Sequence, residues 1–450
     1  MPSNGKKRQR EEHHAQHHPE GTNPNAKRKV CLLVAYTGAP YQGLQKNPGA
    51  VTVEETLEVA MHRAGAITDD NVGTLQKISW SRAGRTDKGV HAVGQIIGCK
   101  LVLQPEPMLD RINEQLGEAS GIKVLGVERA TAGFCAHTLC SSREYEYLLP
   151  VYMLRPPPPA LAEAPAADES GGAPSSGSAS SSAAAAAAST PLSEEESERL
   201  RRLLAQLQGT HPFHNFTDVG KLGRDERGEK LKSDHRSATR YIKSLRADAP
   251  QTHGGVVFVP LRFHGQSFLL HQIRKMVALV CACMRGTAPA DAIERALTQQ
   301  RVPAIPLAPG CALTLRQCFF DQYEKRLPHD RGSVHFERLS AERQLFLTTV
   351  IHPHIARREA AGEFRDFAPT LDAWDVTAPL PQPPPPPPPP AAPTPAAAAA
   401  KEEEAAATEA PAAAPGPADA APPPEPVPPA AAASVAVEGK VAAEAEGVAS

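Results

Sequence analysis

Two stretches of this 450-residue chain cannot build a core, and they decide how the rest must fold. Residues 156–192 are dominated by Pro, Ala, Ser and Gly and hold no Lys or Arg, and residues 376–450 are dominated by Pro and Ala, with an unbroken run from Pro383 to Pro390. Segments with so little apolar surface do not offset their conformational entropy, so both are expected to be disordered, the Pro run extending as polyproline II. Setting them aside with a basic, disordered tail at 1–26 leaves 27–155 and 193–375, together 312 residues, enough for two subdomains with a sizeable core.

The whole chain's net charge of -2 conceals the charge of those segments, which carry 42 Lys and Arg against 35 Asp and Glu, about +7. A mildly basic core favours a polyanionic partner. KKRQR at 6–10 and KRK at 27–29 fit a nuclear import signal or a nucleic-acid-binding arm. Without a secretory apolar region or a run of about 18 apolar residues, the chain is expected to be soluble and intracellular, with no membrane partner. The eight cysteines form no CxxC pair, and Cys281 and Cys283 read as buried small hydrophobes in an apolar helix.

Both segments read as α+β. In the first, VCLLVAY at 30–36 has strand length, Thr52 and Glu55 form a capping box for a helix over 53–64, and a second helix spans 108–116. Strands are expected near 95–99, 124–129 and 143–149. The second segment restarts with a capping box at Ser193 and Glu196, a strand at 256–263 and a long apolar helix over 268–284 that ends at Gly286. Within that helix Arg274 and Lys275 interrupt the apolar pattern, and a buried Arg needs a partner.

SRAGRTDKGVHAVGQ, residues 81–95, is too irregular for helix or strand and places Asp87 among Arg82, Arg85 and Lys88. Neighbouring positive charge favours the carboxylate, and Gly84 and Gly89 let the backbone fold tightly around it. Such an aspartate suits a nucleophile or general base, although a solvated turn has the same composition. An always-charged Arg274 could hold it ionised. Alternation in SREYEYLL sets Arg143, Tyr145 and Tyr147 on one strand face, where rings can stack a base and the guanidinium can meet phosphate. A core packing of the same tyrosines is the competing reading.

GRTDKGVHA around Asp87 resembles the aspartate motif of the TruA family of tRNA pseudouridine synthases. In order, YTGAPYQGLQKNPGA at 36–50, GFCAHTLCSSREYEYLLP at 133–150, GTHPFHNFT at 209–217 and GQSFLLHQIRKM at 265–276 resemble the same family. The last two, with VPAIPLAPGCALTL at 302–315, resemble its eukaryotic nuclear branch. The resemblance implies two RRM-like (ferredoxin-like) subdomains joined into one antiparallel sheet, with Asp87 the nucleophile, Tyr145 stacking on the target base and Arg274 the basic partner of the aspartate. It implies substrate contacts from Arg82, Arg85, Lys88, Arg143 and Lys275, and puts His214, Asn215 and Phe216 on the RNA-facing side.

The implied reaction moves the uracil from N1 to C5 on the same ribose, starting by attack of Asp87 at C1′ or C6; it needs no cofactor and no metal. tRNA is the implied substrate, with small nuclear and messenger RNAs acted on by relatives, and the enzyme would work in the nucleus as a monomer or homodimer. Two positions depart from the pattern: Leu44 stands where the bacterial branch favours Trp, and His137 where many relatives carry a basic residue. The region 221–243, with eight cations and four acids, is expected to touch RNA. An inactive RNA-binding protein or tRNA-folding chaperone of the same fold is the alternative. An Asp-dependent glycosidase or phosphotransferase lacks the second carboxylate or acidic metal cluster such chemistry needs.

Overall fold

β1 (Lys27–Tyr36) buries every residue from Val30 to Tyr36 because both of its faces are covered. The structure, a computed structural model, describes residues 27–102, 108–156, 188–218, 236–298, 301–327 and 334–380. All of them belong to one unit, Met1–Pro381. The basic tail, most of the Ala/Ser insertion, residues 219–235 of the cationic region and the Pro run lie outside the described residues.

β1 lies antiparallel between β3 (His91–Val102) and β4 (Ile122–Arg129), and the two-residue β2 (Ser81–Arg82) adds to β3. The aspartate segment is therefore a loop of 83–90 between two strands rather than irregular throughout. α1 (Val53–Arg63) and α2 (Met108–Leu116) belong to this half. Only half of the expected capping box forms at α1, where the Thr52 hydroxyl accepts from the Glu55 N–H at 3.4 Å. It is Glu54 and Glu58 that turn inward, although both are acids.

β5 (Ser142–Pro150) comes from the first segment but pairs with strands of the second. With β6 (Gly209–Pro212), β7 (Thr239–Ala247), β8 (Gln251–His253), β9 (Val256–Gly265) and β10 (Leu313–Phe319), the sheet runs β4-β1-β3-β10-β5-β9-β7-β6, with β8 on β9. Among the described strands every pairing is antiparallel except β3 with β10, which meet at Thr314↔His91 and Leu315↔Ala92. The result is a large, open, mostly antiparallel sheet in an α+β chain.

α3 (Glu194–Gln206) closes the full capping box, Glu196 N–H to Ser193 Oγ at 3.1 Å and Ser193 N–H to the Glu196 carboxylate at 2.8 Å, and buries Leu200, Leu203 and Leu204. α4 (Gln272–Arg285) starts later than its apolar pattern suggests, because His271 adopts a left-handed conformation (φ 66°). Leu270 consequently stays outside the helix with 38% of its surface exposed. Gly286, also left-handed, ends the helix as expected.

Among the described helices without a counterpart in the sequence reading are α5 (Ser340–Phe346), α6 (His352–Ala360) and α7 (Glu363–Asp372). α7 packs on α4, where Arg285 forms an ion pair with Asp372 at 2.6 Å. α6 brings His352 to Glu146 of β5 at 2.9 Å, both almost fully buried. No helix among the described residues is long and apolar enough to cross a membrane.

The crossing of β3 and β10 is unusually close. A Cβ at Gly94 would lie 2.1 Å from the carbonyl oxygen of Arg316, a backbone contact that no rotamer change relieves. Gly94→Ala should therefore cost about 1–3 kcal/mol of stability. Urea unfolding measures this as a lower midpoint at unchanged slope; an unmoved midpoint would mean the two strands separate freely.

Candidate active site

A cavity of about 820 Å³ opens between the loop after β2, the exposed end of β5 and the segment that leads into α4. Asp87, Tyr145 and Arg274, some 58 and 129 positions apart in sequence, all line it. The structure thus brings these three candidate residues to one cavity.

The loop bearing Asp87 is held at nearly every residue. Arg82 grips the buried carboxylate of Glu54 with Nε and Nη2, the latter at 2.9 Å, and Trp80 Nε1 donates to the same carboxylate at 2.7 Å. The Ala83 carbonyl accepts from Arg143 Nη2 at 2.7 Å, and the Gln95 side chain brackets Gly84, its Nε2 at 2.9 Å from the carbonyl. Thr86 Oγ1 meets the Tyr36 hydroxyl at 2.8 Å, while the Thr86 carbonyl accepts from the Leu44 N–H at 3.1 Å. The Val90 N–H then closes a turn onto the Asp87 carbonyl, with Gly89 left-handed at φ 79°.

A second layer fixes this loop against the turn before β10. His91 is fully buried; its Nδ1 accepts from the Gly38 N–H at 3.0 Å, so the proton sits on Nε2 and is donated to the Cys311 carbonyl at 2.8 Å. Tyr147 donates to the Pro309 carbonyl at 3.0 Å. Between these anchors Gly310 presses on both partners of the site, since a Cβ there would stand 3.1 Å from the Lys88 carbonyl and 3.4 Å from Arg274 Cζ.

Arg274 donates from Nε to the Ala308 carbonyl at 2.6 Å. Burial pushes its guanidinium below the ordinary arginine range, while the fields of Tyr147 and Asp87 oppose that fall. His271 also approaches the aspartate, Nε2 to Oδ2 at 3.7 Å, a pair that is ionic only when the imidazole is protonated. Its left-handed backbone swings the imidazole toward the cavity, and the Ala308 carbonyl holds Arg274 back. Tyr145 meets Phe268 edge-on, rings 5.3 Å apart at 85°. Burial raises the Tyr145 phenol well above its usual range, so it stays neutral and can donate.

Of the other expected contact residues, Arg82 and Arg143 also line the cavity but have donors already held, and several more fall elsewhere. Arg82 is bonded to Glu54, and Arg143 to the carbonyls of Ala83, Cys140, His137 and Gln266. His214 and Phe216 are fully buried, Phe216 against Phe213 with rings 5.4 Å apart, and Asn215 bonds the Ala296 carbonyl at 3.0 Å, so this segment is core, not RNA-facing surface. Lys275 lies outside the cavity lining and reaches the Thr217 carbonyl at 3.4 Å. Arg85 and Lys88 are exposed, with Arg85 and His137 at the cavity. His271, Phe268 and Trp80 are lining residues that sequence reasoning passed over; the first two lie inside the quoted GQSFLLHQIRKM, and Trp80 immediately precedes the aspartate segment.

The sequence profile of tRNA pseudouridine synthases matches residues 203–321. The pseudouridylate synthase 1 homologs of Mus musculus and Homo sapiens are each 36% identical, over 68% and 67% of this chain and 63% and 62% of their own length. The tRNA pseudouridine synthase 1 of Yarrowia lipolytica is 32% identical over 74% of this chain and 72% of its own. The chain belongs to the tRNA pseudouridine synthase family. It spans less than two thirds of the length of the mouse and human relatives.

In this family member the neutrality of His91 has a measurable consequence. Burial, aided by the charges of His354 and His352, pushes its pKa from an ordinary 6.5 to about 3. In the unfolded chain the group titrates near 6.5. The unfolded state therefore binds more protons between these values, so the His91 contribution is complete above pH 6.5 and is lost as pH falls toward 3. His91→Gln should flatten the dependence of unfolding free energy on pH between 6 and 4 by about 1.4 kcal/mol per unit. Parallel pH curves for variant and wild type would show that His91 is free to protonate in place.

Proposed function

We propose that this chain is an isomerase that converts uridine to pseudouridine in tRNA. The observation that carries this reading is the convergence of Asp87, Tyr145 and Arg274 on one cavity in a member of this family. Asp87 attacks carbon: at C1′ it displaces N1 and is itself displaced when C5 bonds to C1′, whereas at C6 it adds to the ring, the N1–C1′ bond breaks in the adduct, and the aspartate is eliminated once C5 has bonded to C1′. The uracil turns, C5 bonds to C1′, and the proton lost from C5 is matched by one gained at N1, so the product is an isomer.

Each neighbour has a role set by its geometry. Tyr145 and Phe268 offer an aromatic corner for the extruded uracil, whose unstacking costs a few kcal/mol. The Arg274 charge, with His271 at 3.7 Å, stabilises the aspartate as its charge changes. Arg85 and Lys88, exposed beside the cavity, are left to meet the RNA backbone. The nucleus is the proposed compartment, and the strand-helix-strand-helix-strand succession of β1, α1, β3, α2 and β4, with order β4-β1-β3, supports an RRM-like first half within 27–155; a second such half within 193–375 is part of the same proposal.

Asp87→Ala should abolish pseudouridine formation, read as tritium release from C5-labelled uridine in tRNA transcripts, while binding stays within about threefold, because the phosphate contacts that dominate affinity are untouched. Turnover by that variant would remove Asp87 from its role. Absence of turnover by the wild type on every transcript would remove the function and leave a tRNA-binding protein.

A further inference from the structure

Trp80 lines two cavities. One holds Asp87; the other, about 260 Å³, lies beside it and is bounded by Gln45, Lys46, Leu75 and Gln76. Arg82 also borders both. The indole is a fixed plate rather than a loose surface ring. Its Nε1 donates at 2.7 Å to Glu54, whose carboxylate is fully buried and also accepts from Arg82 Nη2 and from the Lys46 N–H, each at 2.9 Å. Arg82 offsets the charge of Glu54, and the Lys46 ammonium is occupied by Glu58 at 2.6 Å. The small cavity therefore offers no free charge for a phosphate. It offers an aromatic plate and the side-chain amides of Gln45 and Gln76, both exposed.

We propose that Trp80 and this second cavity form a subsite for the nucleobase adjacent in sequence to the target uridine. The inference rests on the activity proposed above. An RNA chain with one nucleotide drawn into the first cavity carries its neighbour to the wall the two cavities share, and a base meeting a rigid indole stacks on it whatever its identity. The two glutamine amides, each donor and acceptor, then face the edge of that base. The pre-organised plate limits the entropy lost on binding.

The test uses the full chain and stem-loop RNAs in which the nucleotide 5′ or 3′ of the target uridine is either present or abasic. Trp80 emission, taken as the difference between wild type and Trp80→Phe because Trp374 is the other indole, should be quenched by the intact RNA and much less when the neighbour on one side is abasic. Trp80→Leu should lower kcat/KM about tenfold more than Trp80→Phe on intact RNA, and the difference should vanish on that abasic RNA. Quenching indifferent to both abasic sites, or a Trp80→Leu loss that persists on them, would overturn the subsite and make Trp80 a purely structural residue. Neighbour-dependent quenching without wild-type turnover would uphold the subsite and end the activity; turnover without neighbour dependence would do the reverse.

Discussion

The pair of hydrogen bonds made by the His91 imidazole holds the site together. It joins Gly38, at the turn after β1, to Cys311, at the turn before β10, across a histidine at the first residue of β3. These segments meet backbone to backbone: a Cβ at Gly38 would lie 2.2 Å from the Val90 carbonyl oxygen, and Gly310 fits between Lys88 and Arg274. Such closeness requires glycine on both sides of the histidine. It also explains how a parallel pairing of only two residue pairs between β3 and β10 can join the sheet, since the buried histidine and the Gly94 crossing supplement the ladder.

The charges around Asp87 divide into two groups by what their donors already hold. Arg82 and Arg143 are bound to a buried carboxylate and to main-chain carbonyls, and both act on the shape of the loop. Arginine suits this work because its planar fork can satisfy several acceptors at once. Arg274 and His271 act on the aspartate from the α4 side, while Arg85 and Lys88 remain exposed. Cations next to the nucleophile in sequence are thus divided between scaffold and solvent-facing roles, and the electrostatic partners come from nearly two hundred residues away.

Local rules reached far into this fold. Helix Met108–Leu116, the Ser193 capping box and the apolar strand at 30–36 follow from periodicity and capping chemistry, which depend on near neighbours. The period of two in β5 separated Tyr145 from Glu146 correctly. What stayed hidden depends on distant partners. A backbone carbonyl that accepts from Arg143 has no sequence signature, and nothing local marks Glu54 as the acid that takes Arg82. HPFHNF reads as polar and aromatic surface, yet the Phe213–Phe216 contact and the bond from Asn215 to Ala296 draw it into the core. The left-handed turn at His271 shifted α4 relative to its apolar pattern and placed a histidine beside the nucleophile.

The two faces of β5 also bear on one another. Tyr145 faces the cavity, and the next residue, Glu146, is buried on the other side among His352 at 2.9 Å, Arg262 at 3.0 Å and Arg316 at 3.8 Å. Burial opposes ionisation of Glu146, but His352, Arg316 and Arg262 outweigh it and hold the carboxyl below its usual range; the same burial lowers Arg316 to about 10. An ion cluster desolvated to this degree adds little net stability over an apolar packing. Its effect is on register. A slip of one residue along β5 would carry an acid into the cavity in place of Tyr145 and leave Arg262, Arg316 and His352 facing an aromatic ring. Since breaking one partner of a buried pair is far more costly than making the pair is favourable, the cluster excludes that slip, and the C-terminal helices that deliver His352 thereby fix which side chain of β5 faces Asp87.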